Sequence, residues 1–298
     1  MIARLSPQMQ GHLAMLLFSA LVAGSFSLGS MAANHIAPAA LNAVRFAIAA
    51  VPIAILALLT GGVTRASAAA PWRYVVLGGL FAAYFVLMFE GLKTAPPVST
   101  AAVFTLTPVM SAGFGWLLMR QITTPRMAAA LAIGAAGALW VIFRADVAAA
   151  LAFQVGRGEA VYFAGCVAHA VYTPMLRWLN RGERGLVYIL WVMVAGFVCL
   201  MAWGWRDVLA TDWAALPPIV WITILYVSLA ASAMTFVLLQ FATQRLPSAK
   251  VMAYTYLTPT WVIFWEIGLG HDVPRPLVLG GVGLTMLALW LLLKDEGA

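Results

Sequence analysis

Apolar residues run along this chain in long blocks, broken by short stretches where proline, glycine and charge collect. A helix rises ~1.5 Å per residue, so about twenty apolar residues cross a hydrocarbon core roughly 30 Å thick. Blocks of that length cover residues 11–33, 38–60, 72–93, 97–119, 125–143, 158–178, 185–204, 217–240, 247–269 and 275–293. The breaks hold Gly61-Gly62, Pro96-Pro97, Pro125, the run Arg181 to Arg184, Pro217-Pro218 and Pro247. Proline in the first turn of a helix loses no intrahelical bond, so these prolines mark starts. The pattern predicts an all-α integral membrane protein of ten transmembrane helices, with loops too short for a soluble domain.

Composition supports lipid as the solvent. The chain is 64% hydrophobic and 9% charged, against roughly 45–50% and about 25% in a soluble domain. Its mean hydropathy is +0.96, and that much apolar surface in water would drive association. The net charge of +7 is spread singly, with no Lys/Arg stripe interleaved with aromatics, which excludes nucleic acid as a partner. Cys166 and Cys199 fall inside predicted spans and make no disulfide framework. The first block is longer than a signal-peptide core of ~7–15 residues and has only Arg4 before it, so it reads as a span rather than a removable leader.

Loop cations set the orientation. With the N-terminus inside, the cytoplasmic side collects Arg4, Arg65, Arg73, Arg120, Arg126, Arg177, Arg181, Arg184, Arg245 and Lys294. The opposite side holds Lys93, Arg144, Arg157, Arg206 and Arg275, with most of the loop acids nearby. The excess obeys the positive-inside rule and puts both termini in the cytoplasm of a cell whose inner membrane the chain crosses.

The two halves echo each other. Leu106-Thr107-Pro108 in span four returns as Leu257-Thr258-Pro259 in span nine, each preceded by a helix-starting proline, Pro96 and Pro247. About thirty residues further on, Ala138 to Trp140 returns as Ala288 to Trp290. Five spans per half is an odd number, so the second copy enters the membrane inverted, a recurring plan of secondary transporters. Residues 1–146 and 147–298 are the two expected repeats, in one integrated membrane domain.

Further residues carry a resemblance. Arg45-Phe46 lies in span two, the run Gly91 to Pro96 precedes span four, Ala101-Ala102 leads to Pro108, and Ala242 to Pro247 leads to Pro259. The closing helices carry Gly134 and Gly137, and Gly280, Gly281 and Gly283. In this order over the whole chain, they resemble the drug/metabolite transporter superfamily, specifically its ten-helix EamA-type exporters and among them exporters of aromatic and other amino acids. Two departures stand out: Met119-Arg120 and Gly270-His271 where the family often has Gly-Glu, and Ala23 and His169 where it often has Trp. The resemblance implies export of amino acids or related small metabolites by alternating access, without ATP. No Walker-type phosphate loop is present in the sequence.

Polar groups at mid-membrane depth are the candidates for substrate contact, because burying them in lipid is costly. His169, near the centre of span six, either donates to a substrate carboxylate, carries a proton, or packs against a neighbouring helix carbonyl. Tyr84 in span three and Tyr254 and Tyr256 in span nine offer rings with a polar tip. Trp261 and Trp265 are placed to stack on a solute, or in Trp265's case to sit in an interfacial belt. Ser27, with Gly24, Ser25 and Gly29, gives span one a small face for close packing or a polar cavity. Thr105, Thr107 and Thr258 flank Pro108 and Pro259, which read as kinks and gating points. Arg45, a third of the way into span two, either snorkels, pairs with an acid or bonds backbone carbonyls. Glu90 and Glu266 lie near span ends where water is reachable, and Lys250 opens span nine. No carboxylate sits at mid-depth, which favours a carrier driven by its substrate's own gradient.

The other classes weighed are an intramembrane lipid-modifying enzyme and a membrane sensor or scaffold. The first needs paired acids, a metal cluster or a nucleophile with its base, and there is no HExxH and no acidic pair. No enzyme activity, cofactor or metal is therefore expected. The short loops leave little surface for protein partners, so the expected partners are a small solute and the bilayer, with the chain a monomer.

Overall fold

The computed structural model describes residues 6–293 apart from 61, 153, 244, 247–250, 252 and 273. Arg4, Gly61, Pro247, Lys250 and Lys294, singled out above, lie outside the described residues. Thirteen α-helices account for most of the described residues: α1 (Pro7–Ala32), α2 (Pro38–Leu59), α3 (Trp72–Leu92), α4 (Pro97–Phe104), α5 (Thr107–Met119), α6 (Pro125–Ile142), α7 (Val147–Leu151), α8 (Arg157–Trp178), α9 (Gly185–Ala210), α10 (Pro218–Leu225), α11 (Thr235–Thr243), α12 (Thr258–Gly268) and α13 (Pro276–Leu293). A π-helical turn, Tyr226–Met234, joins α10 to α11.

Proline begins most of these helices, as the sequence predicts. Pro7, Pro38, Pro97, Pro125 and Pro218 each stand in the first turn. Ser6 and Thr124 complete two of the starts, accepting hydrogen bonds from the amides of Met9 and Met127 at 3.2 and 3.1 Å. Among the described residues eight helical segments are long and apolar enough to span a bilayer. Pro97–Met119 is one of them although it is two helices, and Pro218–Leu239 includes the π turn. α8 has the length but carries Arg157, Glu159 and Arg177, while α12 is only 11 residues long.

The prolines of the repeated tripeptide do not kink a continuous helix. Span four ends at Phe104, turns at Thr105 and Leu106, and restarts, with Pro108 in the first turn of α5. Pro259 stands likewise in the first turn of α12, after a 3₁₀ turn over Tyr254–Leu257. Leu106 and Leu257 cap the two restarts with nearly equal backbone angles, φ −77° and ψ −17° against φ −80° and ψ −11°. Proline has no N–H to continue the previous helix, so the chain begins a new one.

Packing follows the same exchange between halves. α3 lies along α8, and α1 lies along α10, the π turn and α11. α2 packs on α9, α6 on α13, α4 and α5 on α8, and α12 on α1. Replacing each first-half element by its second-half counterpart returns the same set of pairs. Close approaches use glycine: a Cβ on Gly137 would stand 2.6 Å from the carbonyl oxygen of Gly281, so α6 and α13 meet through small residues. A Cβ on Gly78 would overlap the backbone of Gly196, which draws α3 against α9.

The two ends of the bundle differ. At one end Arg73 of α3 donates to the carbonyl of Leu179 at 2.6 Å and to Glu183 at 2.7 Å, and Arg184 donates to the carbonyl of Thr60 at 2.5 Å. At the other end Trp140 donates to the carbonyl of Leu277 at 2.8 Å, and a cleft of about 710 Å³ opens among α4, α6, α8, α12 and α13.

Candidate functional site

Aromatic and polar side chains recur at three- and four-residue spacing on α3 and α8, which places them on one face of each helix. On α3 these are Phe81, Tyr84, Phe85 and Met88; on α8 they are Tyr162, Cys166, His169 and Tyr172. The two faces meet at the centre of the bundle. Tyr84 lies 4.6 Å from the His169 ring, and Phe81 stacks on Tyr172 at 4.8 Å with 8° between the planes. The Tyr84 and Tyr162 hydroxyls are 3.0 Å apart. Phe104, at the break between α4 and α5, closes on His169 at 5.7 Å, and Phe26 of α1 packs on Phe104 and Tyr162, each at 6.0 Å. Ring pairs of this kind are worth roughly 0.5–1.5 kcal/mol each beyond their burial.

Arg45 enters the same centre from α2. It is 1% exposed, its guanidinium carbon sits 3.6 Å from the Phe85 ring centroid, and its Nε donates to Ser232 Oγ at 3.0 Å. A desolvated guanidinium over an aromatic face is worth about 2 kcal/mol. Ser232 in turn donates to the carbonyl of Val227, five residues back, at 2.7 Å, a bond in the register of the π turn. Around this centre the polar atoms are short of partners. His169 Nδ1, Tyr172 Oη and Arg45 Nη1 are shielded and unbonded, as is Ser27 Oγ on α1. Buried polar atoms are nearly always bonded, and a group of exceptions in one place calls for an explanation.

Of the residues expected to contact substrate, the structure brings Tyr84 and His169 together and disperses the rest. Tyr254 bonds His12 Nδ1 at 2.9 Å, in a cluster with Ala14, Met15 and Leu246. Tyr256 is fully buried between α6 and α13, against Gly134. Trp265 is half-buried and edge-on to Tyr226 at 5.5 Å. Trp261, the other stacking candidate, donates to Ser19 Oγ at 3.0 Å. Thr105 is buried and returns its hydroxyl to the carbonyl of Ala102 at 2.7 Å, satisfying the break in span four. Sequence reasoning did not single out Phe81, Phe85, Phe104, Tyr162 or Tyr172. The spacing 162, 166, 169, 172 carried the signal for α8.

The centre is packed with aromatic rings in this conformation, and an open volume lies at the cleft end. Ser99, Glu159, Glu266, Asp272 and Arg275 are among the residues lining it. Glu159 accepts from Ser99 Oγ at 2.8 Å. Glu266, expected at a water-reachable end, is 8% exposed: its Oε2 meets His271 Nδ1 at 2.9 Å and its Oε1 is shielded without a partner. Packing at the end of α12 takes it out of water. Both acids stand within three residues of a helix end rather than at the centre. Among the described residues no three His, Cys, Asp or Glu side chains gather to hold a metal.

Comparison with known proteins places this geometry. The pattern of the EamA-like transporter family matches residues 9–143 and again 156–294. The protein called "Uncharacterized transporter YyaM" of Bacillus subtilis (strain 168) is 22% identical over 274 residues, spanning 91% of this chain and 90% of that one. A solved chain described only as "Crystal structure of protein" superposes with a TM-score of 0.67 at 20% identity, covering 96% of each chain. At that identity the likeness is one of fold.

Proposed function

As a member of the EamA-like transporter family the chain is a multi-pass membrane transporter, and we propose that it exports amino acids or related small metabolites across the cytoplasmic membrane. It does so by alternating access of two inverted five-span halves, residues 1–146 and 147–298, with both termini inside. The observation that carries this reading is the aromatic and polar centre where α3 of one half meets α8 of the other. Ring faces there suit the apolar part of a small solute, and the unbonded polar atoms of His169, Tyr172 and Arg45 offer what its polar part needs.

The difference between the two ends supports the mechanism. The cleft opens at the end assigned outside, while Arg73, Glu183, Leu179, Arg184 and Thr60 close the end assigned inside. Release to the outside then comes from this conformation, and loading from one in which the Arg73 end has parted. Among the described residues the centre holds no acid to relay protons, so the solute's own gradient drives the cycle.

Uptake and counterflow of labelled amino acids in proteoliposomes test the proposal. Flux above protein-free vesicles for at least one compound is expected; none across all twenty amino acids and their common metabolites would remove it. Reporter fusions at each terminus, both active only in the cytoplasm, check the orientation.

A further inference from the structure

Among the described residues Arg45 is the one charged side chain in the central site, and no acid there balances it. Seven residues separate it from Pro38 at the helix start, a depth of roughly 10 Å. Among the described residues no carboxylate pairs with it: Glu183, Glu90 and Glu266 are taken by Arg73, Lys93 and His271, and Glu159 by Ser99. A guanidinium has five N–H donors. The Nε donor goes to Ser232, Phe85 covers one face, and Nη1 is shielded from solvent with no acceptor.

The aim of this group is fixed by a feature with a cost of its own. An α-helical Ser232 would return its hydroxyl to a carbonyl three or four residues back. The π turn instead sends it to Val227, five back, and leaves its oxygen facing Arg45 Nε. π turns inside helices concentrate at functional sites. Ser232 is thus a positioning residue that holds the guanidinium by its Nε over the Phe85 ring, beside the Tyr84 and Phe81 rings that Phe85 touches.

We propose that Arg45 is the anchor for the anionic group of the transported solute, a single carboxylate that accepts from Nη1 and supplies the missing negative charge. The charge count selects the class. One uncompensated guanidinium matches one carboxylate, whereas a phosphate ester, carrying about two negative charges near neutral pH, would leave one unbalanced in a dry aromatic site, and the ammonium of an amino acid is left to the ring faces of Phe81, Tyr84 and Phe104. The apolar remainder of the solute faces Phe81, Tyr84, Phe104 and His169. This rests on the transport reading above and narrows it to carboxylate-bearing solutes.

The test is counterflow in proteoliposomes of a labelled amino acid that the wild-type protein carries. It is competed by the unlabelled acid, by its amide, and by its phosphonate analogue. The expected result is that the amide and the phosphonate compete at least tenfold more weakly than the acid. Arg45→Gln brings acid and amide to equality, Arg45→Lys keeps part of the difference, and Ser232→Ala narrows it while transport persists. Equal competition by acid and amide in the wild type overturns the inference and leaves transport standing. A phosphonate that outcompetes the acid overturns the carboxylate assignment. Flux of no amino acid in the wild type removes the transport reading and the anchor together. Should Arg45→Gln fail to assemble, the wild-type comparison and Ser232→Ala still decide.

Discussion

Arg73 and Glu183, 110 positions apart, meet at 2.7 Å and tie the start of α3 to the loop between α8 and α9. Tyr74 joins them, donating to the carbonyl of Ser67 at 2.5 Å while its oxygen lies 3.3 Å from Glu183. The cluster connects the two halves at one end only, opposite the cleft.

Glu183 gives this contact a pH signature. Burial raises its carboxyl, but hydrogen bonds from Arg73 and from the backbone amide of Arg181 outweigh that and bring it down to about 2, from a usual 4.5. A carboxyl depressed in the folded state contributes stability that is complete above its unfolded value and fades as pH falls through its folded one. Thermal unfolding in detergent should therefore weaken between about 4.5 and about 2. Glu183→Gln should cost about 2 kcal/mol at pH 7 and flatten that part of the profile. An unchanged acid limb in the variant would show that Glu183 does not titrate in the contact.

Glycine substitutions sort by what a Cβ would strike. Gly78→Ala drives a methyl into the backbone of Gly196, which cannot turn aside, and should cost about 3 kcal/mol or more. Gly134→Ala meets the Tyr256 ring, which has some freedom to shift, and should cost about 1–3 kcal/mol. Gly113→Ala meets nothing within 4 Å and should be neutral or stabilise its helix by up to about 1 kcal/mol. Unfolding midpoints of the three variants check the order, and a Gly78→Ala protein as stable as Gly113→Ala would contradict the close packing of α3 on α9.

Tyr256 supplies a control for the central site. Its hydroxyl is buried without a partner between α6 and α13, in a different apolar cluster from Tyr84. Tyr256→Phe removes only that unbonded oxygen, so stability should hold or rise by about 1 kcal/mol. Amino-acid flux should not change. A selective loss of flux would return Tyr256 to the list of substrate contacts.

The helix plan was legible because proline and lipid write it openly. Starts at Pro38, Pro97, Pro125 and Pro218 follow from one rule about a missing N–H, and Leu106-Thr107-Pro108 with Leu257-Thr258-Pro259 locates equivalent restarts in both halves. Within a span the reading was weaker. Tyr254 and Tyr256 sit at the depth of a binding site, yet the 3₁₀ turn that carries them presents one to α1 and the other to α6. Depth is a property of sequence position, whereas the direction a side chain faces depends on which helices arrive beside it. The π turn at Tyr226–Met234 was invisible for the same reason: its serine and alanine residues fit an ordinary helix, and only the contact with Arg45 shows its use.

His169 offers the sharpest separation of function from packing. Its ring is surrounded by Tyr84 at 4.6 Å, Phe104 at 5.7 Å and Tyr172 at 5.9 Å, and its Nδ1 is shielded without an acceptor or donor. Leaving that atom unbonded costs roughly 1–3 kcal/mol, a cost that an apolar ring would avoid. His169→Phe keeps a planar ring in an aromatic cage and removes the cost. The variant should melt at the wild-type temperature or slightly above it, while amino-acid flux in proteoliposomes falls at least tenfold. Tyr84→Phe should behave differently, losing about 1 kcal/mol with the Tyr162 hydrogen bond and losing flux as well. If His169→Phe instead transports at the wild-type rate, the centre between α3 and α8 is packing, and the solute path must be sought at the cleft.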